Sequence, residues 1–237
     1  MARTRGRDRA RGDDDEREPA KEPKPDLKVP LPKPRHPRII AVANQKGGVG
    51  KTTTAVNLGA GLAERGLRVL VVDLDPQGNA STGLGLNIRE LEATMYDVLL
   101  DDVPIEDCIE PSEVRNLFVA PASLDLAGAE IELVAAMSRE LRLRTALAPV
   151  KDDYDYILID CPPSLGLLTL NAFAAVGEVL VPIQCEYYAL EGLGQLLHNV
   201  ELVQKAVNPD LEVSTVVLVL SAARPALADD AAPDGRH

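Results

Sequence analysis

The chain has 237 residues, enough for one α/β domain with a large core, and a formal net charge of −12. Hydrophobic residues make up 46% and aromatic residues only 3%, so the core must be aliphatic, as in a parallel sheet covered by Ala- and Leu-rich helices. No apolar run reaches the roughly 18 residues of a membrane span, and the N-terminus is charged where a signal peptide is apolar. These features argue against a membrane-spanning or secreted protein, and we expect a soluble, cytoplasmic one. Its cysteines, Cys108, Cys161 and Cys185, form no CxxC pair and are expected to be reduced.

Residues 1–37 are rich in Pro and charge and contain few large apolar side chains. Residues 1–38 hold twelve Lys or Arg and eight Asp or Glu, about +4, which leaves about −16 on the rest of the chain. Because such a segment buries too little apolar surface to offset its ordering entropy, it is predicted to be a disordered tail. Its Arg-rich start is either a weak contact for nucleic acid or a partner, or a solvated extension, the more common state of charge runs.

The first predicted strand, residues 38–43, leads into a glycine-rich loop with the sequence QKGGVGKTTT. A helix is predicted over residues 51–65. In this arrangement, the backbone N–H groups of the loop and the positive end of the helix can surround a phosphate. Lys51 would reach the β- and γ-phosphates of a nucleotide, and the Thr52 hydroxyl would hold Mg²⁺.

The loop departs from the usual GxxxxGK[ST] pattern at two positions. Gln45 stands where that pattern has its first Gly, and Lys46 is an additional lysine. Because Lys46 precedes the turn, it is poorly placed to do the same work as Lys51. A lysine that points away from its own nucleotide could reach a nucleotide held by a second subunit, which predicts a shared active site.

A second strand, predicted over residues 68–75, delivers Asp73 and Asp75 to its carboxyl end. Because residues two apart in a strand point to the same side, both carboxylates could face the nucleotide. There they would lie near the metal and the γ-phosphate. Pro76 then ends the strand.

A third strand is predicted over residues 116–122, and a long helical stretch over residues 124–147. The next strand, residues 154–160, consists mainly of apolar residues and ends at Asp160. This is a Walker B arrangement, in which Asp160 would bond a water molecule on Mg²⁺. Two prolines close behind Asp160 stop the strand.

The remaining predicted elements are a strand over residues 177–183, a helix up to residue 207 and a strand over residues 211–220. Strands separated by helices imply right-handed crossovers. The predicted fold class is therefore α/β, with a doubly wound, mainly parallel sheet of the P-loop NTPase type over residues 38–220. Ligands of such sheets bind beyond the carboxyl ends of the strands, where all three motifs lie.

Four segments resemble one known family: KGGVGKTT, VVDLDPQGNAS, YDYILIDCPPSLGLLTLNA and VPIQCEYYALEGLGQL. They follow the order of the deviant Walker A ATPases of the ParA/Soj type, which partition chromosomes and plasmids. The resemblance covers residues 39–217.

The resemblance implies ATP and Mg²⁺ as cofactors and a role for each loop residue. The implied ATP-binding residues are Lys46, Gly47, Gly48, Val49, Gly50, Lys51, Thr52 and Thr53. Thr52, Asp75 and Asp160 are implied at the metal. The implied catalytic residues are Lys46, which crosses an ATP-sandwich dimer to the partner's phosphates, Lys51, and Asp75, which promotes attack by water.

The family's function is a cycle between monomer and dimer. By resemblance, ATP drives homodimerisation, and the dimer binds DNA without sequence preference in the cytoplasm, on the nucleoid. A ParB-type centromere-binding protein then stimulates an otherwise slow hydrolysis. Loss of the γ-phosphate removes the partner of Lys46, so that hydrolysis separates the dimer.

The resemblance fails at the C-terminus. Residues 221–237, SAARPALADDAAPDGRH, replace the family's continuing segment and are predicted to be an irregular tail, so that the C-terminal part of the domain is expected to be incomplete. Arg224 stands at the position of one DNA-contacting arginine, in altered surroundings. Since a body charge of about −16 opposes contact with phosphates, DNA binding is implied by the resemblance and not by the charge.

Three other functions stay open at this point. A MinD-like membrane-cycling ATPase shares the loop but needs a C-terminal amphipathic helix, which residues 221–237 lack, and we expect no membrane partner. A nitrogenase-type iron protein needs cysteines that bridge a cluster across a dimer, and Cys161 and Cys185 lie elsewhere in the pattern. A third alternative is a truncated remnant with impaired activity.

Overall fold

The computed structural model describes residues 29–184 and 189–220 of the chain. Within them, the strands are β1 (Arg38–Val42), β2 (Val69–Asp73), β3 (Glu110–Pro111), β4 (Leu117–Ala120), β5 (Tyr156–Asp160), β6 (Glu178–Gln184) and β7 (Glu212–Val219). The α-helices are α1 (Lys51–Glu64), α2 (Asn79–Gly83), α3 (Met95–Leu100), α4 (Leu126–Glu132), α5 (Arg142–Leu147), α6 (Leu167–Ala175) and α7 (Ala189–Ala206).

The described strands form one sheet in the order β3-β4-β2-β5-β1-β6-β7. All neighbouring pairs are parallel except β3 with β4. This confirms the predicted doubly wound, mainly parallel sheet. Asp160 of β5 lies in register with Val42 of β1 on one side and Asp73 of β2 on the other. The loops that follow these three strands therefore meet at one edge of the sheet.

Alternate residues of β2 enter two apolar clusters, one on each face of the sheet. Val69 and Val71 belong to the cluster that α1 covers, and Leu70 and Val72 belong to the larger cluster on the opposite face. All four side chains are fully buried, as expected for a strand covered by helices on both faces. The sheet edge that carries the loops is thus held by an aliphatic core.

The prediction of one helical stretch over residues 124–147 is wrong. The chain forms α4, a short 3₁₀ turn and the separate helix α5, with Ser138 between them at a left-handed φ of 49°. The side-chain amide of Asn171 accepts a hydrogen bond from the Leu143 N–H (3.2 Å) and donates to the Arg139 carbonyl (2.7 Å). Because this buried amide satisfies backbone groups at the break, the interruption is stabilised by a tertiary contact.

The N-terminal tail and the C-terminal tail, including Arg224, lie almost wholly outside the described residues, so the proposed domain limits stay a prediction. Of the tail over residues 1–37, only residues 29–37 are described. Arg65 donates to the Val29 carbonyl (3.0 Å), and the Leu31 N–H donates to the Arg65 carbonyl (3.1 Å). In the described part of the chain, no helix is long and apolar enough to cross a membrane.

The first prediction concerns the ion pair that joins β1 to β6. Arg38 Nε donates to Glu178 Oε1 (2.7 Å), and this bond lowers the pKa of Glu178 below its ordinary value of 4.5. Because the pKa is lowered, the pair stabilises the fold above pH 4.5, and the contribution is lost as the pH falls through the folded-state pKa. Glu178→Gln should therefore lower the free energy of unfolding by up to about 1 kcal/mol at pH 7, since the pair is partly exposed.

The measurement is urea denaturation between pH 3 and pH 7, with the exposed Glu92→Gln as the control. The difference between wild type and Glu178→Gln should shrink below pH 4.5. A difference that stayed constant over this range would show that packing, and not the ion pair, accounts for the loss.

Candidate functional site

The glycine-rich loop between β1 and α1 is fastened to the neighbouring strand β6. The buried Asn44 donates from Nδ2 to the Pro182 carbonyl (2.7 Å) and accepts from the Lys46 N–H at Oδ1 (3.0 Å). Gln184 Nε2 donates to the Gly48 carbonyl (2.9 Å). The loop is therefore held in place by two side-chain amides. Sequence reasoning did not single out Asn44 or Gln184, because their partners are backbone carbonyls distant in sequence.

The backbone of the loop requires glycine at two positions. Gly48 and Gly50 have φ angles of 73° and 86°, in the left-handed region that strains other residues. Gly50 is also the residue that precedes α1, and no side chain caps this helix. The first N–H groups of α1 are thus oriented toward the loop, an arrangement suited to binding an anion.

The two lysines of the loop lie in opposite environments. Lys51 is 7% exposed, whereas Lys46 is an exposed residue. Burial lowers the pKa of Lys51, and the carboxylates of Asp160 and Asp75 oppose that effect. One lysine therefore faces the interior of its own site, and the other lies at the surface of the loop.

Asp160 lies at the inner end of the site. Its carboxylate is fully buried, and neither oxygen has a hydrogen-bond partner within the described part of the chain. Burial raises the pKa of Asp160 to about 7. The Thr52 hydroxyl acts in the opposite direction, although it forms no hydrogen bond with either carboxylate oxygen. Because a buried carboxylate without partners is costly, these oxygens fit a cation or its bound water.

Asp75 lies beside Lys51 and Asp160. Asp75 is 9% exposed, and its Oδ1 accepts a hydrogen bond from the Gln77 N–H (3.0 Å). Its negative charge opposes the lowered pKa of Lys51. It also contributes, after burial and the charge of Asp73, to the raised pKa of Asp160. Of the acidic residues that the sequence analysis placed here, Asp75 and Asp160 do converge on the buried lysine.

Both carboxylate oxygens of Asp73 are engaged by hydrogen bonds in the turn after β2, whereas the sequence analysis expected both carboxylates of this strand end to face the nucleotide. It accepts hydrogen bonds from the Ser81 N–H (2.9 Å), the Ser81 hydroxyl (2.7 Å) and the Asp75 N–H (3.1 Å). Burial raises the pKa of Asp73 to about 6. The rule that residues two apart in a strand point to the same side does not apply here, because Asp75 lies beyond the end of β2, where the chain turns. Asp73 instead holds the turn that positions Asp75.

Two cavities flank these residues. One of about 440 Å³ lies against the loop and is lined by Gly48, Thr53 and Asn57 with Gln184 of β6. A second, of about 330 Å³, lies between Asp75 and the segment that follows Asp160. One cavity thus borders the glycine loop, and the other borders Asp75.

The cysteines take no part in this site as far as the structure describes them. Cys108 and Cys161 are buried thiols, and burial raises the pKa of both, that of Cys108 to about 12. A buried thiol with a raised pKa is unreactive. Cys185 lies outside the described residues.

The second prediction tests Asp73. Asp73→Ala should lower the free energy of unfolding by about 2 to 4 kcal/mol, because it leaves buried N–H donors of Asp75 and Ser81 without acceptors. Ser81→Ala removes only the hydroxyl contact and should cost about 1 kcal/mol. Urea denaturation measures both, with the exposed Asp125→Ala as control. A loss for Asp73→Ala no larger than that of the control would contradict this structural role.

Comparison with known proteins places the chain in a family. The family model described as an AAA domain matches residues 37–213. The sporulation initiation inhibitor protein Soj of Bacillus subtilis is 60% identical over 187 residues, 79% of this chain and 74% of that protein. The chromosome-partitioning ATPase Soj of Treponema pallidum is 52% identical over 193 residues, 81% of this chain and 75% of that protein.

A solved structure has the same fold and carries a nucleotide. Cobyrinic acid a,c-diamide synthase from Mycobacterium smegmatis, with bound ATP analog and magnesium, superposes with a TM-score of 0.71 and 46% sequence identity, over 77% of this chain and 74% of that one. The identities to the Soj proteins are higher and extend over most of both chains. Together with the glycine loop and the converging aspartates, they show that this chain belongs to the ParA/Soj family of chromosome-partitioning ATPases.

Proposed function

We propose that the protein binds and hydrolyses ATP and uses this reaction to cycle between a monomer and an ATP-sandwich dimer in chromosome or plasmid partitioning. The observation that carries the proposal is the opposite placement of two lysines on one glycine loop. Lys51 is buried beside Asp75 and Asp160, and Lys46 is exposed. A buried lysine can bind the phosphates of its own subunit, and an exposed lysine on the same loop can reach those of a second subunit.

Within one subunit, Lys51 and the N–H groups at the start of α1 bind and orient the phosphates of ATP. Mg²⁺ fits the deep end of the site, where Thr52 and Asp75 would hold it and Asp160 would bond one of its waters. The unpartnered oxygens of Asp160 support this assignment. When bound, the ion neutralises charge that develops on the phosphates. Asp75 also promotes attack by water on the γ-phosphate.

Across the dimer, Lys46 of each subunit contacts the phosphates bound to its partner. Such a contact exists only while both the partner and the γ-phosphate are present, so that hydrolysis weakens the interface. The fixed backbone of the loop supports this role, because Asn44 and Gln184 hold the loop against β6 while Lys46 is exposed. Slow hydrolysis by the protein alone is the expected consequence of a site completed from outside.

The partners of the cycle are proposed from the relatives. The Treponema pallidum Soj protein, 52% identical, is named a chromosome-partitioning ATPase, and this supports a partitioning function for the present chain. We propose DNA as the surface for this function and a ParB-type protein as the stimulator. The ATP dimer would then bind non-specific DNA on the nucleoid in the cytoplasm. Arg224 stays a proposed DNA contact outside the described residues.

The Mycobacterium smegmatis neighbour is named for a different activity, but its structure holds an ATP analog and magnesium on a fold that the two proteins share. The higher identities to the partitioning proteins favour partitioning for this chain. We therefore propose ATP and Mg²⁺ as its cofactors.

The third prediction tests nucleotide binding. Mg-ATP at about 100 times its dissociation constant should raise the melting temperature of the wild-type protein by about 5 to 10 °C, because it binds only the folded state. Lys51→Ala should abolish this shift, since it removes the buried ammonium that meets the phosphates. The exposed Lys151→Ala is the matched control. An equal shift in wild type and Lys51→Ala would contradict the proposed site.

The fourth prediction separates the two lysines. Lys46→Ala should still bind ATP through Lys51, so its melting temperature should still rise with ATP. It should stay a monomer in ATP, because it lacks the contact with the partner's phosphates. Light scattering measures the mass of each variant in Mg-ATP and in Mg-ADP, with Lys151→Ala again as control. A dimer formed by Lys46→Ala as readily as by the wild type would show that Lys46 does not act across an interface.

A further inference from the structure

Glu130, an acidic residue outside the site described above, contacts the segment of chain that leads away from that site. This segment, residues 161–166, joins Asp160 at the end of β5 to the start of α6. Glu130 of α4 lies against it, and the Ser164 hydroxyl donates to Glu130 Oε1 at 3.5 Å. A carboxylate on α4 thus reaches the segment directly behind the buried Asp160.

The Glu130 carboxylate occupies the space where a side chain of residue 166 would begin, which is open because residue 166 is glycine. We call this space the seat of the carboxylate. A Cβ atom built on Gly166 would lie 2.6 Å from Cδ of Glu130, far inside van der Waals contact. The backbone of Gly166 has φ −84° and ψ −166°, an extended conformation that any residue adopts. A side chain at position 166 would therefore displace the Glu130 carboxylate without straining the backbone. The space that glycine leaves is filled by the Glu130 carboxylate.

The charge of Glu130 suits this seat. Gly166 is the residue that precedes α6, a nine-residue helix that has no side-chain cap at its N-terminus. The partial positive charge of a helix N-terminus favours a nearby carboxylate. Glu130 is half-buried in this position, so its charge is only partly screened by solvent.

Glu130 also borders the catalytic side of the site. It lines the cavity of about 330 Å³ together with Asp75, Pro162 and Ser164. The segment between Asp160 and α6 therefore lies between Glu130 on one side and the active carboxylates on the other. Movement of this segment would move the end of β5, where Asp160 must stay beside Lys51.

We propose that Glu130 is a positioning residue for ATP hydrolysis, which acts by seating its carboxylate against Gly166 and Ser164 and thereby fixing the segment that carries Asp160. The inference rests on the proposed ATPase function and adds a residue to it. Glu130 touches neither the nucleotide nor the metal in this account. Its contribution is the placement of Asp160, and small displacements of a catalytic group reduce rates strongly.

The test uses two independent ways of removing the carboxylate from its seat. Glu130→Ala deletes it. Gly166→Ala displaces it, and the fold should survive because the clashing atoms belong to the end of a flexible side chain and the backbone accepts alanine. Glu130→Gln keeps the shape and the acceptor for Ser164. Glu132→Ala, on the same helix but in contact with Tyr96, is the matched control.

The measurements are kcat and KM for Mg-ATP by phosphate release, with the melting temperature of each variant with and without ATP. Both Glu130→Ala and Gly166→Ala should lower kcat by roughly tenfold or more, with KM and the ATP-dependent melting shift close to wild type. The double variant should be no slower than either single variant, since both remove the same contact. Glu130→Gln should keep most of the wild-type kcat, as should Glu132→Ala.

Two results would overturn the inference while leaving the proposed function intact. One is a wild-type kcat in Glu130→Ala and Gly166→Ala. The other is a double variant whose loss is the product of the single losses, because independent effects would then explain both. A wild-type protein that hydrolyses no ATP would instead refute the proposed function, and the inference with it.

Discussion

The site is governed by the burial of one lysine with two aspartates at the edge of the sheet. Burial lowers the pKa of Lys51 and raises that of Asp160, so the fold disfavours the charged form of both groups. Isolated buried charges are costly, and their attraction offsets that cost only where geometry and hydrogen bonds are favourable. Asp160 has no hydrogen-bond partner among the described residues. A phosphate for Lys51 and a hydrated cation for Asp160 would satisfy both groups, and the ATPase proposal gives the site these two ligands.

The rest of the architecture keeps these groups at fixed positions. Asp73 holds the turn that places Asp75, and side-chain amides on both sides hold the glycine loop against β6. The aliphatic core supports the strand ends from both faces. The proposed cycle would need such a frame, because the presence of the γ-phosphate would have to decide whether Lys46 contacts a second subunit. Glu130 extends the frame to the segment behind Asp160.

The sequence predicted the sheet and the location of the site because both depend on local patterns. Apolar strands that end in Asp160 or run into a glycine loop are visible as contiguous residues, and parallel strands bring such ends together. Three features were not predictable from the sequence. They are the break between α4 and α5, the hydrogen bonds of Asp73 within the turn after β2, and the contact of the Glu130 carboxylate with Gly166. Each depends on side-chain contacts between segments that lie 8 to 36 residues apart in the chain, and no spacing rule encodes these contacts.

The central claim is that each active site is completed by the lysine of a second subunit. Mixing Lys46→Ala with Lys51→Ala and measuring ATP hydrolysis tests it most directly. Each variant alone should be inactive. In the mixture, ATP dimers should form mainly between the two variants. Each mixed dimer contains one complete site of two, so activity should recover to at most about half of the wild-type rate. A mixture no more active than the two variants measured separately would contradict the claim.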